Sequence, residues 1–205
     1  QWMSGLVKQE LLPFAMTIVV RSEGVGYWRW CGFANPAQGL PPAPNTLLRM
    51  YSMTKPVTAL TAVLLEDKGL LDLNAPVETL IPEMANWRAL NHPAAELQVC
   101  TSLSCGPTLL QLLTHTSGIS YGDAQGSMLD QALAQKIARN CSLSGLLNTL
   151  SELPLVFPPG TAWCYGYGLD VLGVAMMRAT GKSLGKIFDE FVFQPLGMTD
   201  TGFEV

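Results

Sequence analysis

Pro56 stands near the head of the longest helical pattern in the chain, and its position limits how that pattern can begin. Inside a helix a proline deletes a hydrogen bond and clashes with the preceding turn, but in the first turn it is tolerated. The pattern, which from Ser52 runs for about five turns at 3.6 residues each, must therefore have Ser52 at its start. Val57, Leu60, Leu64 and Leu65 fall on one stripe, while Ala59, Ala62 and Val63 make the other side apolar, so a helix buried on most faces is expected. Gly69 supplies its stop. Pro56 also disfavours helical geometry at Lys55, a local conflict the fold has to settle.

A serine at a helix start makes Ser52-Met53-Thr54-Lys55 chemically legible. Positions i and i+3 share a helix face, so the hydroxyl and the amine can meet. A serine hydroxyl is a poor nucleophile until a base takes its proton. A lysine serves as that base if burial or a neighbouring cation lowers its pKa. In the first turn the serine N–H has no helical acceptor and is free to face an oxyanion. Alone the four residues are weak evidence, because an exposed lysine and an N-capping serine produce the same string.

Before this segment, residues 3–12 read as a short amphipathic helix ending at Pro13. The β-rich runs Phe14 to Val20 and Val25 to Phe33 flank Ser22-Glu23-Gly24 and suggest an antiparallel hairpin. Residues 34–46 hold four prolines and read as a loop. After Gly69 a loop runs to Pro82. Thr108 and Gln111 fit a capping box for a short helix ending near Gly118. Ser127 caps a helix reaching about Arg139, with Leu129, Leu133 and Ile137 inward, and another covers about 143–151. Pro158-Pro159-Gly160 is a turn. Leu169 to Thr180 is helical, and Leu184, Ile187, Phe188 and Phe191 have the spacing of a last amphipathic helix. Two strands followed by many helices describe an α+β protein with a largely helical lobe.

Bulk properties exclude several classes. Hydrophobic residues make up 48% and charged residues 14% of the 205, which suits a packed core and not a disordered chain. A formal net charge of -4 advertises neither a nucleic-acid nor an anionic-membrane surface. No apolar run approaches the ~20 residues of a membrane span, and Gln1 to Gly5 do not read as a signal peptide, so the expectation is a soluble protein of open compartment. The five cysteines, Cys31, Cys100, Cys105, Cys141 and Cys164, cannot all pair within the chain. Cys100 and Cys105 could bridge in an oxidising compartment; free, partly buried thiols are the plainer reading. With only His92 and His115 and no Cys-x-x-Cys, no zinc site is expected.

Context strengthens the serine–lysine pair. Arg49-Met50-Tyr51-Ser52-Met53-Thr54-Lys55-Pro56-Val57-Thr58-Ala59 resembles the nucleophile segment of the β-lactamase-related serine hydrolases, the group of class C β-lactamases, family VIII carboxylesterases and DD-peptidase-like enzymes. The resemblance continues through Gly69 to Val77, Leu112 to Ile119, Pro159 to Gly166, Asp170 to Gly173 and Pro195 to Thr201, six ordered blocks over nearly the whole chain. It implies a β-lactamase/transpeptidase-like fold, an acyl-enzyme mechanism on an ester, amide or β-lactam-like substrate, and no metal or organic cofactor. It also implies that Tyr165 is the tyrosine of the second motif, whose phenol contacts serine and lysine and shuttles the proton, a nearby ammonium favouring the phenolate. Tyr167 stands where β-lactamases have asparagine, which leans the reading toward an esterase or peptidase.

His115 lies in a block that resembles a structural loop, and the Asp, Ser and Thr around it are expected to satisfy its ring nitrogens; His92 is expected to be solvated. Gly118-Ile119-Ser120-Tyr121-Gly122 matches Gly-x-Ser-x-Gly but lacks the strand before it and the helix directly after it that a nucleophile elbow requires. Gly181-Lys182-Ser183 ends like a P-loop, yet Met176 occupies the first glycine position and no strand precedes it. No tripeptide resembling the family's third motif follows Tyr165, and only two strands are visible, so the expectation is one β-lactamase-related domain over residues 1–205, with residues 1–50 as helix and hairpin and 51–205 as the helical lobe, lacking its C-terminal strands. The competing reading is a non-catalytic relative that binds or scaffolds. Substrate identity and oligomeric state are left open.

Overall fold

The computed structural model describes residues 1–122, 127–137 and 141–203. The chain divides into two compact units, Gln1–Met50 and Tyr51–Val205.

The first unit holds helix α1 (Trp2–Lys8) and strands β1 (Phe14–Arg21) and β2 (Gly24–Gly32). The strands pair antiparallel, Phe14 opposite Gly32 and Ile18 opposite Trp28, with a bulge between Val19 and Val20. The expected hairpin is therefore present. The helix is shorter than its pattern: it stops at Lys8, and Glu10 takes a left-handed φ of 56° that no continuing helix allows.

The second unit opens on a 3₁₀ turn, Tyr51–Met53, that runs into α2 (Thr54–Asp67). Pro56 is the third residue of α2, inside the first turn, and Lys55 is helical despite it. Gly69 ends the helix at φ 69°, its N–H on the Glu66 carbonyl and that of Leu70 on the Leu65 carbonyl. The expectation of a helix buried on most faces is corrected. Thr58, Thr61, Ala62 and Leu65 are buried, whereas Leu60 and Val63 are about half exposed. The threonines tolerate burial because each hydroxyl donates to a carbonyl one turn back, Thr54 and Val57 respectively.

A second antiparallel pair, β3 (Arg88–Leu90) with β4 (Cys100–Ser102), corrects the reading of only two strands. Three-residue strands are too short for an alternating pattern to register. Helix α3 (Leu109–Leu113) has the expected capping box, with the Thr108 hydroxyl accepting from Gln111 N and the Gln111 side chain accepting from Thr108 N. Helix α4 (Met128–Lys136) is capped by Ser127; its expected end at Arg139 lies outside the described residues. Helices α5 (Leu143–Glu152) and α6 (Gly168–Thr180) match their patterns. The last pattern breaks: α7 (Leu184–Phe188) gives way to a wider turn, Asp189–Phe193, in which Gln194 N bonds the Asp189 carbonyl.

The core of this unit is one cluster. Helix α6 packs against both α2 and α3, and α2 also meets α7. Leu65, Leu109, Leu112, Leu172, Met176 and Phe188 are essentially inaccessible. Among the described residues no helix is long and apolar enough to cross a membrane.

Candidate active site

Ser52 sits in the 3₁₀ turn and Lys55 in the first turn of α2. In a 3₁₀ turn side chains at i and i+3 eclipse, and Lys55 Nζ lies 3.5 Å from Ser52 Oγ. Tyr51, directly before the serine, has φ 45° without being glycine. Such strain persists only where the surroundings over-determine it, and it concentrates at functional sites.

Two loops complete the cluster, and backbone bonds tie them together. Cys164 N donates to the His115 carbonyl, Gly160 N to Thr116 and Val156 N to Gly118, at 2.8, 2.8 and 2.9 Å. One loop carries Tyr121 and the other carries Tyr165 and Tyr167. The Tyr165 phenol interacts with both Ser52 and Lys55. Lys55 Nζ stands 4.9 Å from the Tyr165 ring centroid. The three residues the sequence singles out, Ser52, Lys55 and Tyr165, thus come together.

Tyr121 was not among them. Its hydroxyl accepts a 2.8 Å hydrogen bond from Lys55 Nζ, shorter than the contact to Ser52. Its ring packs edge-on to Tyr167 with centroids 4.3 Å apart and tilted to Tyr165 at 5.4 Å. Its sequence signal is its place two residues after the block ending at Ile119.

The condition under which Lys55 would serve as the base is not met, while the phenolate of Tyr165 is favoured as the resemblance implies. Burial is the largest influence on Lys55 and works to lower its pKa, as expected, but the hydrogen bonds and partial charges of Tyr121 and Tyr165 outweigh it and the net shift is upward. Tyr165 moves the other way: hydrogen bonds from Ser52 and then Lys55, with the Lys55 charge, hold its phenol below the ordinary range. Burial raises Asp170 at the start of α6, with the Lys55 charge opposing. The two shifts are opposite: the site favours the ammonium of Lys55 and the phenolate of Tyr165.

His115 corrects a further expectation. Its Nδ1 is buried without a hydrogen-bond partner among the described residues, and the ring lies against Tyr165 and Trp163 at 4.7 and 6.0 Å between centroids. Burial and then the Lys55 charge keep it neutral-leaning by lowering its pKa. His92 is exposed, its Nδ1 accepting from Ala94 N. Ser120 of the Gly-x-Ser-x-Gly string is 4% exposed and donates to Asp130 at 2.8 Å, so its hydroxyl is neither accessible nor free. All five thiols are unpaired. Among the described residues no three His, Cys, Asp or Glu side chains converge in a way that would hold a metal ion.

A cleft of about 370 Å³ runs along the cluster, lined by Ser52, Lys55, Tyr121, Leu169, Asp170 and Phe203. A larger groove of about 540 Å³ lies between α5 and α6. Its cations are already paired, Arg178 with Glu83 and Lys182 with Glu190, and among the described residues no side-chain hydrogen bond joins a basic or acidic group to its Ser144 or Ser183. Volume alone would choose the wrong place; chemistry selects the smaller cleft.

A protein-family model described as Beta-lactamase matches residues 1–205. Esterase EstB of Burkholderia gladioli is 38% identical over 201 residues, covering 96% of this chain and 48% of that protein. A monacolin J acid methylbutanoyltransferase of Aspergillus terreus is 34% identical over 206 residues, covering 97% and 49%. Among solved structures, EstCE1, described as a hydrolase with promiscuous acyltransferase activity, superposes with a TM-score of 0.77 at 23% identity over 95% of this chain and 49% of that one, a likeness of fold. The chain spans about half the length of the curated relatives it matches.

Proposed function

The chain belongs to the beta-lactamase family, and from that premise we propose that it carries the nucleophile and proton-transfer residues of a serine hydrolase acting on an ester or amide through an acyl-enzyme. The observation that carries this is the meeting of Ser52, Lys55 and Tyr165: Lys55 Nζ is 3.5 Å from Ser52 Oγ and 4.9 Å from the Tyr165 ring centroid, and Ser52 and Lys55 line the cleft. The esterase and acyltransferase relatives support it over a non-catalytic scaffold, since both named activities move an acyl group.

In this mechanism Tyr165, as phenolate, takes the Ser52 proton while Ser52 Oγ forms a bond to the substrate carbonyl carbon. The Lys55 ammonium stabilises the phenolate. The carbonyl oxygen becomes an oxyanion that the Ser52 N–H, at the head of the helix, helps to hold. Collapse breaks the bond to the alcohol or amine, which takes the proton back from Tyr165 as it leaves. Water then attacks the acyl-serine by the same exchange, Tyr165 accepting its proton and returning it to Ser52.

A fluorophosphonate probe tests this. The chain becomes labelled, Ser52→Ala is not, and Ser120→Ala still is. Labelling that survives Ser52→Ala, or a parent chain that never labels, overturns the proposal.

A further inference from the structure

We infer that Tyr121 is a positioning residue for Lys55, anchored from behind by the buried Ser120–Asp130 pair; this rests on the role proposed for Ser52 and Lys55.

Lysine is a flexible point charge on a four-carbon stem, and holding it in one place requires a fixed acceptor. Tyr121 Oη is that acceptor at 2.8 Å, and the Tyr121 ring also lies 5.1 Å from the ammonium at its centroid. Two neighbouring rings restrict its rotation: Tyr167 meets it edge-on at 4.3 Å and Tyr165 is tilted to it at 5.4 Å between centroids. Directly before it, Ser120 Oγ donates to Asp130 Oδ1 and accepts from Gly122 N at 3.2 Å, which spans the Tyr121 backbone. Asp130 is 3% exposed; its second oxygen takes the Ser127 hydroxyl and its own N–H donates to Ser127 at the start of α4. The Gly-x-Ser-x-Gly string thus does supply a serine to the site, as an anchor two bonds removed from the chemistry.

The titratable groups facing Lys55 are Tyr121, Tyr165, Asp170 and His115. Of these Tyr121 makes a 2.8 Å hydrogen bond to the ammonium, and it has the larger hydrogen-bond influence on Lys55 of the two phenols. Losing it frees the lysine to swing toward solvent, away from Ser52, and removes one influence that keeps it charged.

The test follows the Lys55 Cε resonance in ¹³C-lysine-labelled chain, identified by its disappearance in Lys55→Met. Tyr121→Phe keeps the ring and deletes the hydroxyl. The Lys55 titration midpoint is expected to fall in Tyr121→Phe, and Ser52 labelling to slow on the order of 10–100-fold. Asp130→Asn, which removes one of the two acceptor oxygens while keeping the shape, is the second variant, and its midpoint moves in the same direction. An unchanged Lys55 midpoint, in either variant whose other lysine resonances match the parent, overturns the inference. The two failures separate: labelling that survives Ser52→Ala sinks the proposed function, whereas Ser52-dependent labelling with an unmoved Lys55 titration sinks only the role of Tyr121.

Discussion

The carbonyl of Ile119 packs so closely on Gly166 that a Cβ added to that glycine would lie 2.0 Å from the Ile119 oxygen. This contact presses the loop carrying Tyr121 onto the loop carrying Tyr165 and Tyr167. The neighbours are backbone atoms, Ile119 C and Ser120 C both at 2.8 Å, so no side chain can rotate away to make room.

Gly166→Ala is therefore expected to destabilise the chain by about 1–3 kcal/mol or more, read as a lower urea midpoint, and to slow Ser52 labelling by parting Tyr121 from Tyr165. A variant as stable and as reactive as the parent would mean that the two loops are not clamped here.

The pH dependence of labelling follows from the opposite shifts of Lys55 and Tyr165. Reaction rises with pH as Tyr165 loses its proton, at lower pH than an ordinary phenol would allow, because Ser52 and Lys55 favour the phenolate. In Lys55→Met the hydrogen bond and the positive charge are gone, the phenolate is less favoured, and the rising limb moves to higher pH. A limb that stays in place would assign it to another group.

Tyr165→Phe removes the proton acceptor and leaves the ring contacts with His115 and Tyr121. Labelling is expected to slow by about 10²–10⁴-fold, the usual range for a general acid–base group. Stability is expected to change by no more than about 0.5 kcal/mol, because Tyr165 is 38% exposed. Equal losses of rate and stability would point to a packing role.

The corrected burial of α2 separates two leucines five residues apart. Leu65→Ala, at a fully buried position, is expected to cost about 2–5 kcal/mol. Leu60→Ala, at a position 46% exposed, is expected to stay within about 0.5 kcal/mol. Urea denaturation of both variants checks the assignment, and equal costs would contradict it.

What the sequence determined by itself is local. Ser52 and Lys55 meet because three residues of a tightly wound turn bring side chains into line. Pro56 confines that turn to a helix start, Gly69 ends the helix it opens, and Thr108 with Gln111 caps α3, each through bonds that span only a few residues. Tyr165 was legible through the resemblance of its block, not through any spacing to Ser52. The tertiary structure decided the rest. Tyr121 reaches Lys55 across 66 positions, the β3–β4 pair closes over ten, and which face of α2 is buried depends on α6, more than a hundred residues on. It also decided the direction of the charge effects at the site. Two phenols brought in by distant loops push the Lys55 pKa up against its burial, and Ser52 and Lys55 push the Tyr165 phenol down. Contacts of that kind leave no period or spacing in the chain, because they arise only when separate loops are packed against one another.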